Sequence, residues 1–293
     1  MQRNPASMNF RETAESIGCR LSSIIEDDRI HRCATELHPK KRNGSYRTDG
    51  RRGWIKNWET GETVTWHEAR PGRHRMPPQP LPSLDRRRAE EAATAKWAAD
   101  VARYRIKAAT ITTHPYLERK GFPKAVGLVH DGLLLVPARI GNEVVSLQEI
   151  AADGTKRNLP GGRMSGASFT LGTGGSGGLE ILCEGYATGL SIKAALAGLC
   201  LPARVTCCFS ASNLATVAET RRHALVVADH DRPIAQFGGL GTSEFYASRT
   251  GLPWVMPPDE GTDANDLHRA AGLPALQMLL LDLLQRQRPR RAA

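Results

Sequence analysis

The segment ALVVADHD (224–231) climbs through the apolar residues Leu225, Val226 and Val227 and closes on Asp229-His230-Asp231. Two carboxylates one residue apart at the tip of a buried strand have two readings. Asp is a common loop residue, because its side chain hydrogen-bonds the backbone just beyond it. Two hard oxygen donors on a rigid element are also the ligand pair that holds Mg2+ against a phosphate. Residues two apart on a strand share a face, so Asp229 and Asp231 can serve one cluster, while His230 points elsewhere and reads as a loop residue. Further acids occupy equivalent places. Glu184 closes LEILCE (179–184), and Asp263 and Asp266, with Asn265 between them, follow PWVM (253–256). One acid at a strand end means little. Three such groups on one edge of one sheet form a metal site by construction.

They share an edge only if the strands are parallel, and the pattern after residue 178 predicts that they are. Strands at 179–184, 204–209, 224–229 and 253–256 alternate with helices at 189–198, near 213–222, at 240–250 and at 263–271. Continuous apolar strands separated by helices predict an α/β fold with a parallel sheet covered on both faces. Sites in such sheets form at the carboxyl edge. A last apolar helix, 273–284, runs into the basic tail RQRPRR.

The part ahead of this core has a different character. Residues 9–27 read as a helix, with Phe10, Ile17, Leu21, Ile24 and Ile25 apolar. Turn signals at Asn43-Gly44, Asp49-Gly50 and Thr60-Gly61 divide 29–67 into a small antiparallel β module carrying Tyr46, Trp54, Trp58 and Trp66. A Pro-rich basic linker (70–85) and a charged helix (84–108) come next. HPYLERKGF (114–122) is a short helix with a Gly stop, and 132–162 reads as two strands, a turn and a basic strand end. GTGGSGG (172–178) does not open a helix after a strand, so it reads as a hinge rather than a phosphate loop. The expected organisation is 1–75 (helix plus β module), 76–110 (linker and charged helix), 111–175 (basic subdomain), 176–275 (α/β core) and 276–293 (helix and tail).

With 293 residues, 40% of them hydrophobic, the chain can build one large or two ordinary domains, and its net charge of +10 favours a polyanionic partner. None of the six cysteines forms a C-x-x-C pair, so no zinc ribbon is expected. Cys19, His31, Cys33 and His38 assemble into a metal site only on paper. The cysteine usage fits a reducing cytoplasm, the N-terminus is too polar for a signal peptide, and no apolar run is long enough for a membrane span. Lys40, Lys41, Arg42, Arg47, Arg51, Arg52 and Lys56 crowd the front module among its aromatic residues. Charge interleaved with rings is a way of holding single-stranded nucleic acid, although the tryptophans also suit the core of a small module. Trp54, beside Gly53 and Arg52, is expected to be the exposed ring.

CEGYATG, ADHD and DANDL, in this order, resemble a Toprim domain. HPYLERKG, LLLVPAR, SLQEIAADGTKRNLPGG, CEGYATGLSI and NLATVA extend the resemblance to the Toprim primases of conjugative plasmids, satellite phages and prophages. GRRGWIKNWETGETVTW is similar to the segment ahead of such cores, so the likeness runs from about residue 29 to 272. It implies a Rossmann-like Toprim sheet behind a basic subdomain, together polymerising short RNA primers on single-stranded DNA from NTPs with Mg2+ or Mn2+. It implies that Glu184 is a metal ligand or general acid/base, that Asp229 and Asp231 are the DxD metal pair, and that Asp263 and Asp266 are downstream acids of more variable role. Lys156 and Arg157 would face nucleotide phosphate and template, with Gln148 a weaker candidate; Arg52, Trp54 and Lys56 would hold template. Where chromosomal primases carry an Asp four residues after the glutamate, this chain has Thr188, which leaves the number of ions open.

Other readings keep the same fold. A Toprim nuclease has no need of the 111–172 subdomain, and a non-catalytic DNA-binding or inhibitory protein has no need of the acids. A topoisomerase would need a tyrosine in a second large domain. No Walker-type G-x-x-x-x-G-K-[ST] is present, so a replicative helicase partner would be separately encoded.

Overall fold

The computed structural model describes residues 8–68, 84–172 and 178–287. The Pro-rich segment before residue 84, the interior of GTGGSGG and the tail beyond residue 287 lie outside the described residues. The chain divides into two compact units, residues 1–81 and 82–293.

In the first unit, α1 (Phe10–Ser16) leads into one antiparallel sheet of β1 (Cys19–Arg20), β2 (His31–Thr35), β3 (Gly44–Thr48), β4 (Arg52–Asn57) and β5 (Thr63–His67), in that spatial order. A capping box opens α1: the Asn9 side chain accepts from the Glu12 N–H, and the Glu12 side chain accepts from the Asn9 N–H. The helix expected over 9–27 stops at Ser16. Gly18 takes φ +71°, a left-handed turn that ends helices, and Cys19 then pairs with Thr35 across β1 and β2. Local periodicity loses here to a strand partner distant in sequence. Phe10, Ala14, Ile17, Cys19, Leu21, Cys33, Tyr46 and Ile55 form the core.

The second unit starts with α2 (Leu84–Ala108). An antiparallel sheet comes next, of β6 (Thr110–Thr112), β7 (Gly127–His130), β8 (Leu133–Ile140), β9 (Glu143–Ile150) and β10 (Lys156–Asn158), with α3 (Pro115–Arg119) between β6 and β7. Beyond it lies a mixed sheet, ordered β11-β13-β12-β14-β15. Its strands are β11 (Phe169–Leu171), β12 (Leu179–Cys183), β13 (Ala203–Cys207), β14 (Leu225–Val227) and β15 (Trp254–Val255). All are parallel except the edge strand β11. The connecting helices are α4 (Tyr186–Gly198), α5 (Ala211–Ala218) and α6 (Thr242–Ala247), and α7 (Ala264–Gln287) is the last described element. The expected pair of C-terminal helices is one element broken at Gly272 (φ 79°, ψ 174°), with Pro274 just beyond.

Alternation along the β8–β9 hairpin gives its sheet two buried faces. Leu135 and Leu147 pack with Ala102 of α2, while Leu134, Val136 and Ile150 join the core of the parallel sheet, among Ile181, Val205, Leu225 and Leu276. The antiparallel sheet is therefore clamped directly to the parallel one. Truncating Ile150, which is fully buried in this shared core, is expected to cost the second unit about 2–5 kcal/mol. Urea unfolding should show the loss in I150A, with the transition of the first unit unmoved.

Candidate functional site

Glu184 leaves the carboxyl end of β12, and Asp229 and Asp231 leave that of its neighbour β14. From β12 the chain moves outward to β13, then crosses back to β14 on the other side. The crevice between β12 and β14 is the switch point of the sheet, where the two crossovers diverge and the strand ends stay open. Asp263 arrives from the loop after β15.

The acids other than Asp229 are held in place by hydrogen bonds. The Glu184 carboxylate accepts from the Ala211 N–H at the start of α5 and from the Ser243 hydroxyl. Asp231 Oδ2 accepts from the Ser243 N–H at 2.9 Å and lies 2.6 Å from Ser243 Oγ. His230 is a strut: its N–H donates to Thr262 O (2.9 Å) and its Nδ1 lies 2.9 Å from Pro257 O, tying the tip of β14 to the loop that bears Asp263. Asp263 caps α7, with Oδ1 accepting from the N–H groups of Asn265 (2.7 Å) and Asp266 (2.8 Å), and Asp266 Oδ2 accepts from the Asp263 N–H at 3.2 Å. The other Asp266 oxygen lies 3.9 Å from Lys120 Nζ.

The electrostatics result from this crowding. Burial, then the charges of Glu184, Asp263 and Asp231, push the Asp229 carboxyl well above its ordinary range, and Lys156 opposes them. Burial also raises Glu184, helped by Asp231 and opposed by the Ser243 hydrogen bond and Lys156. Asp229 Oδ1 is buried with no hydrogen-bond partner. The structure thus brings Glu184, Asp229, Asp231 and Asp263 together and assigns Asp266 to the helix cap and Lys120. An all-oxygen donor set, mutual repulsion and an orphaned buried carboxylate oxygen fit a divalent cation such as Mg2+ or Mn2+. Among the described residues no group of three or more His, Cys, Asp or Glu side chains is placed to hold a metal ion, so an ion here would have to take part of its shell from water or substrate oxygens.

An open groove of about 510 Å3 adjoins the acids, lined by Arg119, Lys120, Lys156 and Arg269 with Asp153 as the single carboxylate. Lys156 connects the two, since its Nζ lies 3.7 Å from where a Cβ would stand on Gly185. Tyr116 also lines the groove; its hydroxyl is buried without a hydrogen-bond partner, and burial, with Asp263 nearby, raises its pKa. Arg119 and Lys120 belong to the ERK of HPYLERKGF, and Arg269 lies one helical turn after Asp266. Sequence reading missed Tyr116, Arg119, Lys120, Arg269 and Ser243, because only the fold brings α3 and α7 to the β10 strand.

Lys156 and Arg157, expected to act together, are split by the strand period. Lys156 joins the groove, and Arg157 faces a separate pocket with Leu133, Glu149 and Thr155. Gln148 is buried and donates to Asn158 Oδ1 at 3.2 Å, holding β10 to β9.

In the first unit, Arg52, Trp54 and Lys56 share one face of β4, opposite the buried Ile55 and Asn57. Trp54 is half-buried, and the exposed ring is Trp58, at 43%. Lys56 Nζ sits 3.9 Å from the Trp58 ring centroid, and Trp58 Nε1 donates to Ser45 Oγ at 2.8 Å. Trp66 packs edge-on against Phe10. Arg52 is paired with Asp49 at 3.2 Å. Cys19 and Cys33 lie in the core, whereas His31 pairs with Asp27 and His38 with Glu59, so the four do not meet.

The Toprim domain family matches residues 180–273, and the parallel sheet with its helices is an α/β Toprim core. Toprim domains bind divalent metals such as Mg2+. Two solved structures are similar. The primase fragment of the bacteriophage T7 primase-helicase protein is 16% identical, with 57% of this chain and 69% of that chain covered at a TM-score of 0.38. A DNA primase domain from Pseudomonas aeruginosa is 17% identical, with 58% of this chain and 55% of that chain covered at a TM-score of 0.33. No described helix is long and apolar enough to cross a membrane.

A carboxyl whose pKa is raised by folding takes up protons on folding. Its contribution to stability is therefore lost as pH rises from the unfolded value near 3.8 through the raised one. Without divalent metal, the second unit is expected to melt lower as pH climbs from 4 to 8 by roughly this linkage. Asp229→Asn should flatten that dependence, hold or raise the metal-free melting temperature at neutral pH, and abolish most of the gain on adding Mg2+. Calorimetric scans across pH, with EDTA and with Mg2+, read all three.

Proposed function

We propose that the chain is a DNA-dependent RNA primase, a nucleotidyltransferase that joins the 3′-hydroxyl of one nucleotide to the α-phosphate of the next and releases pyrophosphate. The observation that carries this reading is the continuity of two opposite charge sets: acids at the switch point of the Toprim sheet, and a four-cation groove joined to them by Lys156. Polymerisation has to hold a triphosphate, a growing chain and a template together. A site that only hydrolysed a strand would have less use for a second sheet clamped beside the acids.

Glu184, Asp229, Asp231 and Asp263 would hold one or two Mg2+ or Mn2+ ions, whose chemistry would be to offset negative charge developing on the reacting phosphate. The chain's own residues supply the rest. Lys156, Arg119, Lys120 and Arg269 neutralise and orient the phosphates in the groove. Glu184, with its pKa raised by burial, is the carboxylate suited to receive the proton of the attacking hydroxyl. Template would lie on the basic, aromatic face of the first unit, where Arg52, Trp54 and Lys56 share a side and Trp58 offers its ring. A replicative helicase would deliver that template, in the cytoplasm of a bacterium whose plasmid or phage encodes the chain.

The direct test is incubation with single-stranded DNA, labelled NTPs and Mg2+ or Mn2+. Short labelled oligomers are the expected result, nearly abolished in D229N and D231N. Shortened template without oligomers would identify a nuclease, and neither product would leave a DNA-binding protein. Lys156→Ala should flatten the plot of log affinity against log salt by roughly one unit, the signature of one lost phosphate contact. Arg157→Ala, on the opposite face, is the comparison: an equal change would place template on both sides of β10. Trp58→Ala should weaken single-strand binding by about 1–3 kcal/mol if a base stacks on the ring. Anisotropy at fixed salt measures that loss against Trp54→Ala.

A further inference from the structure

The Ser243 side chain lies where the two strands that flank the switch point present their acids. Ser243 is 3% exposed. Its hydroxyl reaches Glu184 Oε1 at the end of β12 and, at 2.6 Å, Asp231 Oδ2 beyond β14. Its own N–H donates to the same Asp231 oxygen at 2.9 Å. Nothing else among the described hydrogen bonds joins Glu184 to Asp231.

The position is built rather than incidental. The chain leaves Asp231, passes through a short 3-10 turn at Ala235–Phe237 and returns at Gly241, where a Cβ would stand only 2.4 Å from the Asp231 carbonyl oxygen. Only glycine lets the backbone come back that close. Phe237 stacks on Phe245 at 4.2 Å between centroids, which closes the loop and seats α6. Ser243 is the second residue of that helix. The excursion from Asp231 to Ser243 thus returns a donor to the carboxylate it started from and extends the same donor to the neighbouring strand.

We propose that Ser243 is a positioning residue for the divalent metal site: a hydroxyl strut that sets the spacing of Glu184 and Asp231 and occupies one oxygen of each. Both Ser243 contacts to Asp231 fall on Oδ2, which leaves Asp231 Oδ1 for the ion. This rests on the metal-dependent function proposed for the site. A serine has one proton to donate, so it can satisfy only one of two ionised carboxylates at a time. The remaining close approach is relieved when a cation withdraws charge from the pair. The strut therefore holds the acids near their bound spacing before the ion arrives, and the cost of bringing two like charges together is met in folding rather than in binding.

The probe is Mn2+ alone, titrated into the full chain and read by electron paramagnetic resonance, with a melting curve for each variant. S243A should bind Mn2+ at least roughly tenfold more weakly than wild type, as expected when a group that orients metal ligands is removed. S243T, which keeps the hydroxyl, should bind within a few-fold of wild type. In turnover assays the loss should appear as a higher metal requirement, with the rate at saturating Mn2+ largely restored. If S243A fails to fold, S243C supplies a side chain of similar size and weak donor strength in its place. A folded S243A or S243C that binds Mn2+ as tightly as wild type would overturn the strut while leaving the metal site standing. Wild-type protein that binds no Mn2+ would overturn both.

Discussion

Four carboxylates held against their own repulsion at one edge of a sheet are the constraint around which the second unit is arranged. Asp229 is buried and surrounded by Glu184, Asp231 and Asp263, whose charges Lys156 opposes. Such a cluster needs donors that fix the acids around Asp229 without neutralising them. The fold supplies those donors locally. The Ala211 N–H at the start of α5 serves Glu184, the first turn of α7 serves Asp263, and Ser243 serves Asp231. His230, which reads as a filler between two acids, fastens one acid-bearing loop to the next.

The antiparallel sheet makes sense in relation to that edge. Its hairpin β8–β9 spends one face on α2 and the other on the Toprim core. The short β10, paired to β9 through Lys156–Ile150 and Asn158–Gln148, is thereby held beside the acids. Buried Asn265 completes the arrangement. Its Nδ2 donates to Lys120 O and to Ser191 Oγ, which ties the end of α3 to α4 and α7. Cations and acids thus come from distant parts of the chain, but their separation is set by packed elements rather than by loops alone.

Much of this was legible in the sequence because its signals are local. Apolar runs ending in acids marked β12 and β14, and their alternation with helices gave the parallel sheet and the edge on which the acids meet. The hidden part depended on long-range geometry. The helix expected over 9–27 broke at Gly18 because Cys19 found a strand partner sixteen residues on, at Thr35. The pair Lys156-Arg157 looked like one basic feature, yet neighbours on a strand face opposite ways. The exposed tryptophan of the first unit was Trp58 rather than Trp54, since Trp58 stands just past the end of β4 while Trp54 sits within it. Ser243 carried no signal at all, because a serine twelve residues from an Asp is ordinary until a loop closes.

The interruption of α7 at Gly272 divides that helix between two kinds of selective pressure. Its first half is capped by Asp263 and carries Asn265 and Arg269, so changes at these positions alter charge or spacing beside the acids. Its second half contributes Leu276, Leu280 and Leu283 to the apolar core. Because the backbone is not helical at the junction, a small rotation or shift of the second half need not propagate as a rigid rod into the first. Leu-to-Met or Leu-to-Ile drift, or the attachment of further sequence beyond the last turn, can then be absorbed at the break. A lineage could exchange the sequence downstream of this helix while the chemistry upstream of the break stays intact.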